Sequence, residues 1–134
     1  MILLREGFRS KRSAREVFAY AGEFAHCEQW DSTALRSQKT QPGPTGVGTV
    51  YDVECALPVG SLKLRYRVLE WEPPRRVVLE GTCRFFTVTD TITVTTCDDG
   101  SELDYQAVFD FADGWRWTEG LLRPGFGRMG KASV

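Results

Sequence analysis

The sequence has only one histidine, and its four cysteines lie far apart with no C-x-x-C pair. A zinc site needs three or four protein ligands at workable spacing, and the segment His26-Cys27-Glu28 has only Asp31 as a further candidate nearby. No serine or cysteine pairs with His26 in a recognisable nucleophile motif either, so this side chain is predicted to lie on the surface of a short helix. We therefore expect no metal and no cofactor.

Long apolar runs and an excess of charge of one sign are lacking as well. The net charge is −1, so the chain has no basic field of the kind that neutralises phosphates, and nucleic acid is not an expected partner. Met1 to Leu4 is too short for the core of a signal peptide, and no run approaches the length of a membrane span. Together with the scattered cysteines, this predicts a cytoplasmic protein with reduced thiols and no membrane insertion. Five basic side chains near the start form either a patch for an anionic surface or, as we favour, a solvated edge: Arg5, Arg9, Lys11, Arg12 and Arg15.

What the sequence does contain is typical of one globular domain. Its 134 residues, 42% hydrophobic and 26% charged, are predicted to form a single domain over residues 1–134. A short strand is expected within Ile2 to Ser10. The capping-box pattern Ser13-Ala14-Arg15-Glu16 then starts a helix, which Gly22 disturbs or ends, and another short helical turn is expected between Ala25 and Trp30.

A run of antiparallel strands is predicted for the middle of the chain. From Ser37 to Gly48 the sequence indicates a loop, because Pro and Gly punctuate it, and the glycine-rich part is a turn into the sheet that at most borders a cavity. Pro73-Pro74 marks the turn of a central hairpin, since proline cannot donate to a sheet ladder. Apolar and polar residues alternate along each run, as they do in strands with one buried face. Five consecutive strands are predicted in this way: Thr49 to Leu57, Leu62 to Trp71, Arg76 to Gly81, Phe86 to Thr95 and Leu103 to Phe111.

The chain ends in a segment with an amphipathic helical pattern. Trp115, Leu122, Phe126 and Met129 lie roughly on one helical face, although each glycine within the segment costs about 1 kcal/mol relative to alanine. Such a helix needs the sheet for its stability, and the simplest packing lays it against the apolar face of a curved sheet, which is an α+β arrangement in two layers. A mostly apolar cavity between the two layers is expected, as in many small-molecule sites.

Several short motifs resemble one superfamily. They are the helix start S-A-R-E-V-F-A-Y, Q-W-D at Gln29 to Asp31, G-V-G-T at Gly46 to Thr49, and V-L-E-W-E-P-P-R-R-V at Val68 to Val77. With the order of elements, they resemble the START-related (SRPBCC) superfamily, and within it the bacterial polyketide cyclase/dehydrase-like proteins. The resemblance implies a helix-grip fold, in which a curved antiparallel β-sheet wraps around a long C-terminal helix, with one or two short helices after the first strand. It also implies that a hydrophobic molecule is bound between sheet and helix.

Strand parity and the helical pattern select candidate site residues. Asp90 shares the parity of Val88 and Ile92, so its carboxylate is predicted to point inward, where it would act as a general acid or base. The alternative, which we favour, places Asp90 at a strand end, bonded to backbone or to an arginine such as Arg84. Trp30, Tyr51 and the other aromatics fit ligand contact and core packing equally well. The predicted cavity lining is Leu64, Tyr66, Val88, Asp90, Tyr105, Leu122 and Phe126, with Trp30 and Tyr51 near the entrance.

Three functions are compatible with this reading of the sequence. The first is binding of a small hydrophobic or amphipathic molecule, polyketide or lipid-like, in an internal cavity, and we favour it because no catalytic constellation is visible. The second is a polyketide cyclase or dehydratase in which Asp90 or a tyrosine moves a proton. The third is a protein whose cavity is filled by side chains and which acts through a surface partner. The oligomeric state stays open between monomer and homodimer.

Overall fold

The computed structural model describes residues 2–30, 34–57 and 59–111. The predicted C-terminal helix, with Leu122 and Phe126, lies outside these residues. The described elements are β1 (Ile2–Ser10), α1 (Ala14–Ala21), a 3-10 turn (Phe24–His26), α2 (Cys27–Trp30), β2 (Ala34–Lys39), β3 (Val50–Ala56), β4 (Ser61–Glu72), β5 (Arg76–Thr82), β6 (Phe86–Cys97) and β7 (Gly100–Phe111).

The strands form one curled, seven-stranded antiparallel sheet in the order β1-β7-β6-β5-β4-β3-β2. The predicted meander is confirmed, because β3 to β7 are neighbours in chain order, and β1 pairs with β7 at one edge. The predicted short helices after β1 are also confirmed. These features match a helix-grip fold in the part of the chain that the structure describes.

The alternation predicted for the central strands is confirmed. In β4, Leu62, Leu64, Tyr66 and Val68 are buried, while the lysine and arginines between them are exposed. In β6, every second residue from Phe86 to Val94 is buried. The hairpin turn is where the prolines predict it, since β4 ends at Glu72 and β5 begins at Arg76. Proline at this position removes no ladder hydrogen bond, because Pro73-Pro74 lies between the strands.

The loop predicted from Ser37 to Gly48 is wrong in its first part. β2 runs from Ala34 to Lys39 and pairs antiparallel with β3. A register shift between Ala34 and Arg36 breaks the alternation, so only Ala34 and Ser37 are buried in this strand. A bulge of this kind inserts a residue on one strand and hides the period of two on which the sequence prediction depends.

Helix α1 begins and ends as the sequence predicts. The Ser13 hydroxyl accepts a hydrogen bond from the backbone N–H of Glu16 at 3.2 Å, which satisfies one of the amides left without a partner at a helix start. The same hydroxyl donates to the Glu16 carboxylate at 3.2 Å. Gly22 ends the helix, and its N–H donates to the Phe18 carbonyl at 2.7 Å. The buried side of α1 packs against β6 and β7.

Replacing Ser13 with alanine should lower the free energy of unfolding by about 1 kcal/mol, the usual cost of losing an N-cap hydroxyl. Urea denaturation of the variant measures this loss. Lys11→Ala is the matched control, because Lys11 is exposed and precedes the cap. Equal stability of the two variants would contradict a capping role for Ser13.

Arg5 and Arg9, two of the five basic residues near the start, lie on a solvated edge. Arg5 pairs with Asp104 at 3.0 Å, Arg9 with Glu102 at 2.7 Å, and all four side chains are at least 40% exposed. Exposed pairs of this kind contribute little to stability.

The four cysteines all lie in the described residues, and none of them forms a disulfide there. In the same part of the chain, no helix is both long and apolar enough to cross a bilayer.

Candidate functional site

One face of the sheet, here called the inner face, carries three buried rows of side chains that run across the strands. The first row is Tyr51, Tyr66, Gly81, Val88 and Phe109, which lie opposite one another from β3 to β7. The second row is Val68, Leu79, Asp90 and Ala107, and the third is Trp71, Val77, Ile92 and Tyr105. Apart from the half-buried Trp71, all of these residues are buried. The inner face is therefore a broad apolar and aromatic surface.

Asp90 lies near the middle of this surface. Its side chain is 1% exposed, with Leu79 and Ala107 opposite it on the two neighbouring strands and Val88 and Ile92 on either side along β6. The inward orientation predicted from parity is confirmed. The alternative that we favoured, Asp90 at a strand end, is wrong, because β6 runs from Phe86 to Cys97.

Arg84, which the sequence suggested as a partner of Asp90, does not lie on the inner face. Arg84 is exposed in the turn between β5 and β6, and its guanidinium carbon lies 5.9 Å from the centroid of the Phe85 ring. This position fits a solvated cation above an aromatic face.

Tyr66 lies against a glycine in the first row. A Cβ placed on Gly81 would come within 2.7 Å of two Tyr66 ring atoms and within 2.9 Å of Val88 Cγ1. The ring therefore occupies the space that a side chain at position 81 would fill. The Tyr66 ring is also 4.7 Å from the Phe24 ring, centroid to centroid.

The remaining predicted site residues fall into two groups. Leu64, Val88 and Tyr105 are buried on the inner face together with Asp90 and Tyr66. Trp30 is the last residue of α2, whereas Leu122 and Phe126 lie outside the described residues. Whether any of these side chains contacts a ligand stays a prediction.

Tyr51, predicted near the entrance, is fully buried and belongs to a polar cluster that we call the Glu23 cluster: Glu23, Lys39, Thr45 and Tyr51. Lys39 Nζ is 2.7 Å from Glu23 Oε1, and the Thr45 hydroxyl donates to the same oxygen at 2.6 Å. The Tyr51 hydroxyl and the backbone N–H of Ala25 donate to Oε2. Four donors therefore converge on one carboxylate.

The surroundings of Glu23 shift two pKa values. Burial alone would raise the pKa of Glu23, but hydrogen bonds from Lys39, Thr45 and Tyr51 outweigh it and lower the pKa to about 2. Burial raises the pKa of Tyr51, and its hydrogen bond to Glu23 raises it further, because a phenolate would face the carboxylate. At neutral pH Glu23 is therefore a carboxylate and Tyr51 a neutral phenol.

The Glu23 cluster fixes the loop between β2 and β3. Thr45 is itself part of this loop, and Lys39 Nζ donates a hydrogen bond to the carbonyl of another loop residue, Gly43, at 2.9 Å. The glycine-rich segment is thus a turn into β3, as the sequence predicts, and it is anchored to the end of α1. Sequence reasoning missed Glu23, Lys39 and Thr45, because no local motif links residues that are 16 to 22 positions apart.

His26, predicted on the surface of a short helix, is the last residue of the 3-10 turn. The ring is half-buried and stacks on Tyr20 with centroids 5.4 Å apart. Its Nδ1 donates to the Tyr20 carbonyl at 2.8 Å. Within residues 2–30, 34–57 and 59–111, no three His, Cys, Asp or Glu side chains lie close enough to hold a metal ion.

Comparison with known proteins gives one family. A family model described as polyketide cyclase/dehydrase and lipid transport matches residues 1–134. A search of curated protein sequences found no match.

Solved structures resemble the fold at low sequence identity. The Zhui aromatase/cyclase from Streptomyces sp. R1128 has a TM-score of 0.73 at 10% identity, over 92% of this chain and 86% of that one. TTHA0849 from Thermus thermophilus has a TM-score of 0.72 at 12% identity, over 92% and 82%. Ara h 8.0201 has a TM-score of 0.65 at 11% identity, over 92% and 86%. At these identities the likeness concerns the fold alone.

Proposed function

This chain belongs to the polyketide cyclase/dehydrase and lipid transport family, and on that premise we propose that it binds a small hydrophobic or amphipathic molecule, of polyketide or lipid type, against the inner face of its sheet. The family description covers both chemical conversion and transport, so membership supports a ligand-binding or cyclase role. We place the ligand between the inner face and the C-terminal segment. Cytoplasmic location stays a prediction from the cysteines.

The observation that carries this proposal is the single carboxylate within an apolar face. Among the described residues that are buried, Asp90 is the one with an acidic side chain. Apolar surface would supply most of the affinity, at about 25 cal/mol per Å² removed from water. A polar group at the centre of such a surface would fix the orientation of the ligand, as it does in most small-molecule sites.

A second candidate function is polyketide cyclisation or dehydration. Asp90 favours it, because a carboxyl group held among apolar side chains can exchange a proton with a ketone or hydroxyl of a bound ligand. Tyr105 is on the neighbouring strand, one row away, since its partner Ile92 is two residues from Asp90. In this proposal Asp90 moves the proton, and the apolar rows hold the bound ligand in a reactive conformation.

The first experiment is native mass spectrometry of the freshly purified protein, followed by extraction and identification of any bound molecule. We expect a stoichiometric hydrophobic ligand. Asp90→Asn would then be assayed for turnover of that ligand: loss of turnover with binding retained supports the enzyme, and unchanged turnover removes Asp90 from the mechanism. A protein that is recovered bare and takes up no fatty acid, sterol or aromatic polyketide would contradict both functions and favour the surface-partner alternative.

Enlarging Ala107 should block the site without changing its polar group. Ala107 is buried opposite Asp90, so Ala107→Leu would place three more carbon atoms beside the carboxylate. We expect ligand affinity to fall by about tenfold, which corresponds to roughly 1.4 kcal/mol. Ligand occupancy in native mass spectra measures the effect.

Val108→Leu is the matched control for this variant, because Val108 adjoins Ala107 but lies on the other face of β7. Thermal denaturation of both variants separates blocked binding from lost stability. If Ala107→Leu carried as much ligand as Val108→Leu, the ligand would not lie beside Asp90.

A further inference from the structure

We propose that a groove beside α1, here called the Arg15 groove, binds a small organic anion with an aromatic body. The groove lies between α1, the β2–β3 loop and the β4–β5 turn, and its volume is about 550 Å³. Small-molecule sites have volumes of roughly 300–1,000 Å³, so the space suits such a ligand. This site goes beyond the proposed function and does not depend on a ligand at Asp90.

The walls of the groove suit a flat, apolar ligand. Phe18 of α1 and Trp71 of β4 face it, with ring centroids 5.2 Å apart and ring planes inclined by 57°. Phe18 is 3% exposed, so packing fixes its ring, whereas the half-buried Trp71 presents part of its indole to the groove. Pro73 and Pro74 form the adjoining rim. Aromatic rings pack against such walls in offset or edge-on geometry.

The charge of the groove selects an anion. Arg15 lines it and is exposed, and no carboxylate of a described residue forms an ion pair with its guanidinium. The one carboxylate among the described lining residues, that of Glu23, is already paired with Lys39 at 2.7 Å and accepts hydrogen bonds from Thr45 and Tyr51. The uncompensated charge is therefore that of Arg15, and a guanidinium binds carboxylates and other oxyanions through paired N–H groups.

A second groove on the protein also contains arginines, but their charges are already compensated. It has a volume of about 500 Å³ and is lined by Arg5 and Arg9. Both cations are neutralised within the groove itself, Arg5 by Asp104 at 3.0 Å and Arg9 by Glu102 at 2.7 Å. Of the two grooves, the Arg15 groove alone combines aromatic walls with a cation that no described carboxylate compensates.

The proposal is tested by titrating 2-naphthoate and the neutral 2-naphthalenemethanol into the full chain, with calorimetry for affinity and the Trp71 indole N–H signal in NMR spectra for location. The indole signal is assigned by its absence from Trp71→Phe, and because Trp71 also belongs to the third row of the inner face, the variant Ala107→Leu below separates the two locations. We expect Arg15→Gln to weaken naphthoate binding by about five- to tenfold, as for one partly exposed charge-assisted hydrogen bond. Binding of the alcohol should be unchanged.

Two controls make the result specific. Lys63→Gln removes the same charge from an exposed position of β4 on the outer face, and it should change naphthoate affinity by less than about twofold. Ala107→Leu, which blocks the inner face, should leave naphthoate binding as it is. The proposal fails if naphthoate does not bind at millimolar concentration, if Arg15→Gln binds it as well as the wild type does, or if Ala107→Leu abolishes binding. The last result would place the anion on the inner face instead.

Discussion

Replacing Gly81 with alanine should lower the free energy of unfolding by about 2–3 kcal/mol, at the upper end of the cost of overpacking a core. The added Cβ would meet two atoms of the Tyr66 ring at 2.7 Å and Val88 Cγ1 at 2.9 Å. These neighbours cannot withdraw easily, because Tyr66 also packs against Phe24, with centroids 4.7 Å apart, and Val88 is fully buried. The ring must therefore tilt, and chemical denaturation measures the cost.

Two further variants separate this contact from a general effect of glycine in a strand. Gly7→Ala in β1 is the matched control, since the nearest atom to its new Cβ would be the Leu103 carbonyl oxygen at 3.8 Å, and it should be neutral or slightly stabilising. Tyr66→Leu removes the ring atoms that clash. In a double-mutant cycle, Gly81→Ala should cost much less when combined with Tyr66→Leu. A cost that is the same in both backgrounds would show that Tyr66 is not what Gly81 accommodates.

Most of the sheet could be predicted because long parts of its strands keep a period of two. From Leu62 to Val68 in β4 and from Phe86 to Val94 in β6 every inward residue is apolar except Asp90, so parity alone assigned the faces. Parity also placed Asp90 inward, and a preference for bonded carboxylates at strand ends led us to favour the wrong alternative. At this position the alternation of apolar and polar residues predicted the orientation of Asp90 better than the general preference of carboxylates for strand ends. A buried acid in the middle of a strand is the pattern expected at a functional site.

The parts that sequence could not predict involve broken periods or distant partners. β2 was missed because the register shift between Ala34 and Arg36 leaves two buried residues in six. The Arg15 groove was missed because Phe18 and Trp71 are 53 positions apart in the chain, and only the fold brings their rings to 5.2 Å. Neither feature leaves a local pattern of apolar and polar residues, and such patterns are what sequence reasoning uses.

Replacing Glu23 with glutamine should lower the free energy of unfolding at neutral pH by roughly 2–3 kcal/mol. The variant leaves Lys39 without its anion, and the amide N–H₂ would face donors where the carboxylate accepted four hydrogen bonds. Removing one partner of a partly buried, hydrogen-bonded ion pair costs more than the same change at the exposed surface. Glu102→Gln is the surface control, because that carboxylate is 48% exposed in its pair with Arg9, and it should cost less than about 1 kcal/mol.

The pH dependence of this loss has a definite sign. The pKa of Glu23 is lowered on folding, from the usual 4.5 to about 2, so the carboxylate stabilises the fold above the unfolded value and loses that contribution as the pH falls through the folded one. The stability difference between wild type and Glu23→Gln should be constant above about pH 5 and should shrink steadily between about pH 4.5 and pH 2. Urea denaturation at a series of pH values gives both curves. A difference that does not vary over this range would contradict a lowered pKa.

Lys39→Met then separates the ion pair from the hydrogen bonds. If the ammonium group is the main reason for the low pKa, its removal leaves burial opposed only by neutral donors, and the pKa of Glu23 rises. Relative to Glu23→Gln chains with the same residue at position 39, the acid limb should shrink in Lys39→Met, because it spans the range between the unfolded and the folded pKa of Glu23 and the folded value has risen. An acid limb that stays in place in Lys39→Met would assign the low pKa to Thr45 and Tyr51. Thr45 belongs to the β2–β3 loop, and Glu23 lines the Arg15 groove. That result would therefore mean that the loop, and not the ion pair with Lys39, keeps Glu23 ionised.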